Sequence, residues 1–324
     1  MSWFTTTRWL NNADITLDDS INLLMTDHNG VKNDGSIKYT NIRKQKLFDQ
    51  NLEIKIENLD VKYNVIDFSM NYVTPGMTTM DEQTSIIRGM IIVYTDGGRT
   101  QYIINRNTDA LKLLRKLLGY TGKNEIVENK LTFSDDIFMW FVKTVFTKYN
   151  EFLFTDAQQN EKSLTINSII GVRGETKDEN TLSAHGDTVL KLISTLSFIL
   201  ESNLLKQILL RLEYTGHENM ELKLNDKGVV SVDIDSYSGN YEDLEENKKK
   251  AQLLLLVYLD ILPKLLKVYY DEKTDGNWNV VEKNNFFELI ENSLFDRLKE
   301  RKEQVKEEQT EGFSDEEKIE EQVG

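Results

Sequence analysis

Residues 90–119 read MIIVYTDGGRTQYIINRNTDALKLLRKLLG, and a change of period inside this stretch decides the fold class. Runs of β-branched and aromatic residues at 90–94 and 101–104 flank Asp96-Gly97-Gly98. Glycine tolerates the positive φ of a tight turn, so the pattern predicts a β-hairpin. Beyond Thr108, Leu111, Leu114, Leu117 and Leu118 recur with the spacing of one helix face. Thr108 is placed to cap that helix and Gly119 to stop it. A hairpin running into an amphipathic helix indicates an α+β chain.

Upstream, Leu52, Ile54 and Ile56 alternate with polar residues, as do Val61, Tyr63 and Val65, which is the signature of half-buried strands. Downstream, Ser134 opens a second helix with Asp135 and Asp136 in its first turn, where carboxylates are favoured. Phe138, Trp140, Phe141 and Phe146 make this helix apolar nearly all round, so it is expected to be buried. The polar stretch 150–162 is read as a boundary. A strand follows at 164–172, and 221–224 and 229–235 flank Asn225-Asp226-Lys227-Gly228 as a second hairpin. The runs 189–200 and 204–212 fit helix or strand equally. From Tyr241 the pattern is helical, bent or broken at Pro263, and a last helix starts near Asn284. The leucine-rich run 253–266 is either a central helix or a contact between copies. The expected architecture is therefore α+β with two lobes: a strand-rich lobe over 1–150, and a sheet with long helices over 163–298. The acidic tail 299–324 is read as a frayed helix or disordered.

The chain of 324 residues has no cysteine, which excludes disulfides, thiolate zinc sites and a cysteine nucleophile. No apolar run approaches the ~20 residues of a membrane span, and the opening MSWFTTTRWL lacks the layout of a signal peptide. A cytoplasmic protein without membrane insertion is expected. Net charge is −15, of which the tail supplies five. Against this background, residues 99–123 carry Arg99, Arg106, Lys112, Arg115, Lys116 and Lys123 with only Asp109 opposed. A second basic segment holds Lys32, Lys38, Arg43, Lys44 and Lys46 against Asp34. Phosphate contact needs cations but little fixed geometry, so the first strip points to DNA or another polyanion. A solvated helix face would carry the same charges.

Other motifs have bland alternatives. Glu53-Ile54-Lys55 and Glu221-Leu222-Lys223 place an acid and a lysine on one side of a strand, the local form of a restriction-type nuclease core. An ordinary polar strand face looks the same. His185-Gly186-Asp187 and Asp233-Ile234-Asp235 suit turns as well as cations, and no spacing completes a metal site, so no metal or cofactor is expected. Walker, dinucleotide-binding and nucleophile-elbow motifs are missing from the sequence.

Two stretches, VYTDGGRT at 93–100 leading through Asn105-Arg106 and RGETKD at 173–178, resemble the prophage superinfection-exclusion proteins of the Rex A type and related phage-defence proteins. That resemblance implies a DNA-contacting sensor or effector of phage infection without a conventional active site. It points to Arg99, Arg106 and Arg173. The leading expectation is a non-enzymatic DNA- or polyanion-binding protein. The alternatives are a metal-dependent nuclease using Glu221 and Lys223, and an adaptor that meets a protein partner or a second copy through 253–266.

Overall fold

The computed structural model describes residues 3–28, 38–73, 84–122, 124–156, 159–176 and 181–320. Hydrogen-bonded strands from both halves of the chain form one 13-stranded sheet. The expected α+β class holds. In the N-terminal half, β2 (Lys38–Lys46) lies at the edge, followed by β4 (Leu59–Val73), β5 (Thr84–Thr95) and β6 (Gln101–Ile104). Short β3 (Leu52–Ile56) pairs with β4, and short β7 (Ile126–Glu128) pairs with the end of the first strand, Trp9 to Asn11. In the C-terminal half the order is β10 (Thr181–His185), β9 (Glu161–Thr176), β11 (Ser202–Tyr214), β12 (His217–Asn225) and β13 (Val230–Asp233).

The two halves meet at β1 (Trp3–Asn11). Its first residues, Trp3 to Thr6, pair with β13, and Thr7 to Leu10 pair with β6. A single strand thus belongs to both halves of the sheet. Both expected hairpins form, β5 with β6 and β12 with β13. Residues 150–162, expected to be a boundary, contain β8 (Glu151–Thr155), which pairs with the start of β9.

Alternation along the strands feeds two cores, as the period of two requires. On one face of the sheet lie α3 (Asp135–Thr147), α4 (Ile193–Glu201), α5 (Glu246–Leu256), α6 (Leu262–Thr274) and the start of α7 (Val280–Glu320). On the other face of the N-terminal half lie α1 (Leu17–Met25) and α2 (Ala110–Leu118). Trp140 of α3 is fully buried, stacked on Phe152, and donates its indole N–H to Glu272 at 2.8 Å. The leucine run is a central helix: Leu253 to Leu256 are at most 4% exposed, so this face is covered by the chain itself. A π-helical stretch, Val257–Ile261, separates α5 from α6, and Pro263 falls in the first turn of α6. The wider turn accommodates a residue that has no N–H to give. Lys264 bridges Asp260 and Glu57, the latter in the β3–β4 turn, which ties the N-terminal half to the helical layer.

Helix ends follow local chemistry. α1, which was not expected, begins in a reciprocal box where Thr16 Oγ1 accepts from the Asp19 N–H and Asp19 accepts from the Thr16 N–H. α2 starts one residue later than its expected cap. Asp109 stands at the N-cap without a side-chain bond to the helix, because its carboxylate is taken by Arg106. α7 continues through the acidic tail as far as Glu320. Among the described residues no helix is long and apolar enough to cross a membrane.

Candidate nucleic-acid interface

The cationic strip at 99–123 is largely engaged by its own surroundings. Arg99 donates to Asn12 Oδ1 at 2.9 Å. Arg106 grips Asp109 with two parallel bonds, the strong fork geometry of guanidinium and carboxylate. Arg115 donates to the Thr121 carbonyl at 3.3 Å. Arg115 and Lys116 occupy the last turn of α2, where cations complement the exposed carbonyls. Lys112 lies 6.0 Å over the Tyr39 ring. Burial lowers the pKa of Lys116. Lys123 lies outside the described residues. Arg173 stands on β9, five strand positions from β6 across the sheet, or about 24 Å at the usual strand spacing. The strip therefore gathers Lys112, Arg115 and Lys116 on one helix, with Arg106 at its start, and leaves Arg173 elsewhere.

A different set of cations converges on the opposite face of the N-terminal half. Register aligns Arg43 of β2, Ser69 of β4 and Arg88 of β5 in one row, and Gln45, Asp67 and Met90 in the next. Successive residues of β2 point to opposite faces of the sheet. Lys44 turns toward the helices and donates to the carbonyls of Thr26 (2.6 Å) and Leu117 (3.4 Å), whereas Arg43 turns to the other face. The start of α5, with Asn247 and Lys250, and Phe4 of β1 close the side of a groove of about 540 Å³ over this row. Lys250 is paired with Glu246 and lies 5.8 Å over Phe4. Arg43 and Arg88 make no side-chain hydrogen bond or ion pair among the described residues. Burial raises the pKa of Asp67, the one acid among the described residues of the lining, and Lys250 partly offsets that rise. The second basic segment of the sequence contains Arg43. Arg88, Lys250 and Phe4 carry no local signal and are found only by register and packing.

On the C-terminal half, Arg173, His185, Asp187 and Lys223 share the face turned away from the main core, around a cavity of about 390 Å³. Trp3 lines this cavity while its neighbour Phe4 lines the groove, since successive residues of β1 point to opposite faces. Glu221, a candidate metal ligand in the sequence, is 3% exposed. Its Oε1 accepts from Arg211 Nε at 3.0 Å and Nη2 at 2.7 Å. The same Nη2 bonds Asp187 at 2.8 Å. Among the described residues no group of three or more histidines or carboxylates is close enough to hold a metal ion. Asp233 forms a local turn, its Oδ1 accepting from the Asp235 N–H at 3.2 Å.

No protein-family model matches the chain, and no curated protein is significantly similar to it.

Proposed function

We propose that this protein binds nucleic acid or another polyanion without chemical turnover, in the phage-defence role that the Rex A resemblance implies, and that the groove beside β2 is its seat. The observation that carries the reading is the pair Arg43 and Arg88, aligned through Ser69 and without an ion pair among the described residues, in a protein of net charge −15. Two strand spacings separate the pair by about 10 Å, a span that an extended phosphate backbone bridges. An unpaired guanidinium gives up no internal partner when it takes a phosphate oxygen, so its contact adds in full. Arg106, just before α2, lacks that freedom because it would have to release Asp109.

The test is fluorescence anisotropy with labelled duplex and single-stranded oligonucleotides over a range of salt. The wild type binds with a steep salt dependence. The Arg43→Glu/Arg88→Glu variant loses that binding, while Arg43→Gln/Arg88→Gln lowers the slope of log affinity against log salt by about 2. Glutamate at Lys112, Arg115 and Lys116 has the smaller effect. Loss of binding through the α2 variant alone would move the seat to the helix, and no binding by the wild type at low salt would end the reading. Plasmid incubated with magnesium or manganese stays intact; nicking that needs Glu221 and Lys223 would favour the nuclease instead.

A further inference from the structure

The cavity on the C-terminal half is separate from the groove and differs in chemistry. Three cross-strand rows build it. The central row runs His185, Gly171, Leu209, Lys223, Ser231 and Thr5 across six adjacent strands. On one side lie Ser183, Arg173 and Gln207, and on the other Arg211 faces Glu221. Because all three rows share one pleat face, their side chains point the same way.

The floor and walls are shaped for an occupant. Gly171 leaves room for the His185 ring: a Cβ there would stand 2.7 Å from Nδ1 and 3.2 Å from Leu209 Cδ2. The His185 Nε2 is fixed by Ser183 at 3.0 Å. Arg211 draws Asp187, in the loop after β10, onto the sheet, and this holds the loop as a wall. The opposite wall is the Trp3 indole. Between them, Lys223 and Arg173 have no hydrogen bond or ion pair among the described residues. The Lys223 ammonium lies 5.0 Å over the Trp3 ring, and its burial depresses its pKa, so an anion arriving beside it relieves an existing penalty.

We propose that this cavity binds a mononucleotide, with the phosphate on Lys223 and Arg173 and the base against Trp3. A volume near 390 Å³ falls at the small end of ligand sites, which run from about 300 to 1,000 Å³. Among the described residues Lys223 is held through the indole face alone, so turning it to the phosphate opens that face to a planar ring. Gln207 and Asp187 then supply a donor and an acceptor for the polar edges of the ligand. The same chemistry is offered by a free nucleotide and by the terminal nucleotide of a strand. This proposal does not rest on the groove.

Titration calorimetry of the full chain tests it, with ribonucleoside monophosphates, the matching nucleosides, inorganic phosphate and a 5′-phosphorylated dinucleotide as probes. At least one monophosphate binds below about 1 mM, and its nucleoside and inorganic phosphate each bind about tenfold or more weakly. Lys223→Met, Arg173→Met and Trp3→Leu each weaken it about tenfold or more, with thermal melting confirming the fold. Arg43→Glu/Arg88→Glu leaves the affinity unchanged, so failure here and failure of the groove reading are separately visible. Dinucleotide binding tighter than the monophosphate assigns the cavity to strand ends, and the reverse order assigns it to free nucleotide. Absence of binding by every probe at about 1 mM, or equal affinity in wild type and Lys223→Met, overturns the proposal.

Discussion

His217 is placed to make stability depend on pH between neutrality and mild acid. It is 5% exposed, stacked beside Tyr214 at 6.1 Å, and edge-on to Tyr241 at 4.9 Å. Its Nδ1 is 2.7 Å from the Tyr237 hydroxyl. That hydroxyl already accepts the Tyr241 N–H at 3.0 Å, so its own proton is directed to Nδ1, which the neutral imidazole offers as an acceptor. Burial, with the Lys162 charge second, pushes the His217 pKa down to about 4 from its ordinary 6.5. The unfolded chain therefore binds a proton that the folded chain refuses across that interval. Stability from this group is fully present above 6.5, falls with pH, and is exhausted below about 4. The whole interval is worth about 3 kcal/mol, and the part between pH 7 and pH 5 about 2 kcal/mol.

The assay is urea unfolding of the wild type and His217→Phe at pH 7 and pH 5. Phenylalanine keeps the ring among the tyrosines and removes the titration, and the carboxylates, common to both proteins, cancel in the comparison. The wild type should lose about 2 kcal/mol more than the variant on acidification. Equal losses, or a His217 ring resonance titrating near 6.5 in NMR spectra, would refute the reasoning.

Two further substitutions probe the frame around the candidate sites. Arg211→Leu strands the buried Glu221 carboxylate and should cost about 3–5 kcal/mol in urea unfolding; adding Glu221→Gln should recover part of it, and a loss under about 1 kcal/mol would contradict the assigned pairing. Gly119→Ala forces a side chain into φ +75° with its Cβ 2.4 Å from His28 Nδ1, so stability should fall by at least about 1 kcal/mol, and an unchanged melting temperature would show that this helix end does not need glycine.

The α+β class, both hairpins and the buried helix α3 were legible in the sequence because they rest on local periodicity and on turn glycines, whereas the leucine run 253–266 fitted a central helix and a contact between copies equally. Those signals act over a few residues, and nothing distant overrides them here. The runs at 189–200 and 204–212 were ambiguous because leucine and isoleucine suit either state. Tertiary pairing decided them: Leu205, Ile208 and Leu210 join the sheet between β9 and β12, while Leu196 and Ile199 are buried on a helix. Candidate sites were less legible. Charge counting singled out 99–123, but whether a cation is free depends on its neighbours in space, and Asp109 and the Thr121 carbonyl occupy Arg106 and Arg115. Arg43 and Arg88 are 45 positions apart in the chain and become one site only through the β2–β4–β5 register. His185, Arg173 and Lys223 likewise meet only because β10, β9, β11 and β12 are adjacent. Composition and period determine which elements form; strand register, which the chain settles over long separations, determines which side chains share a surface.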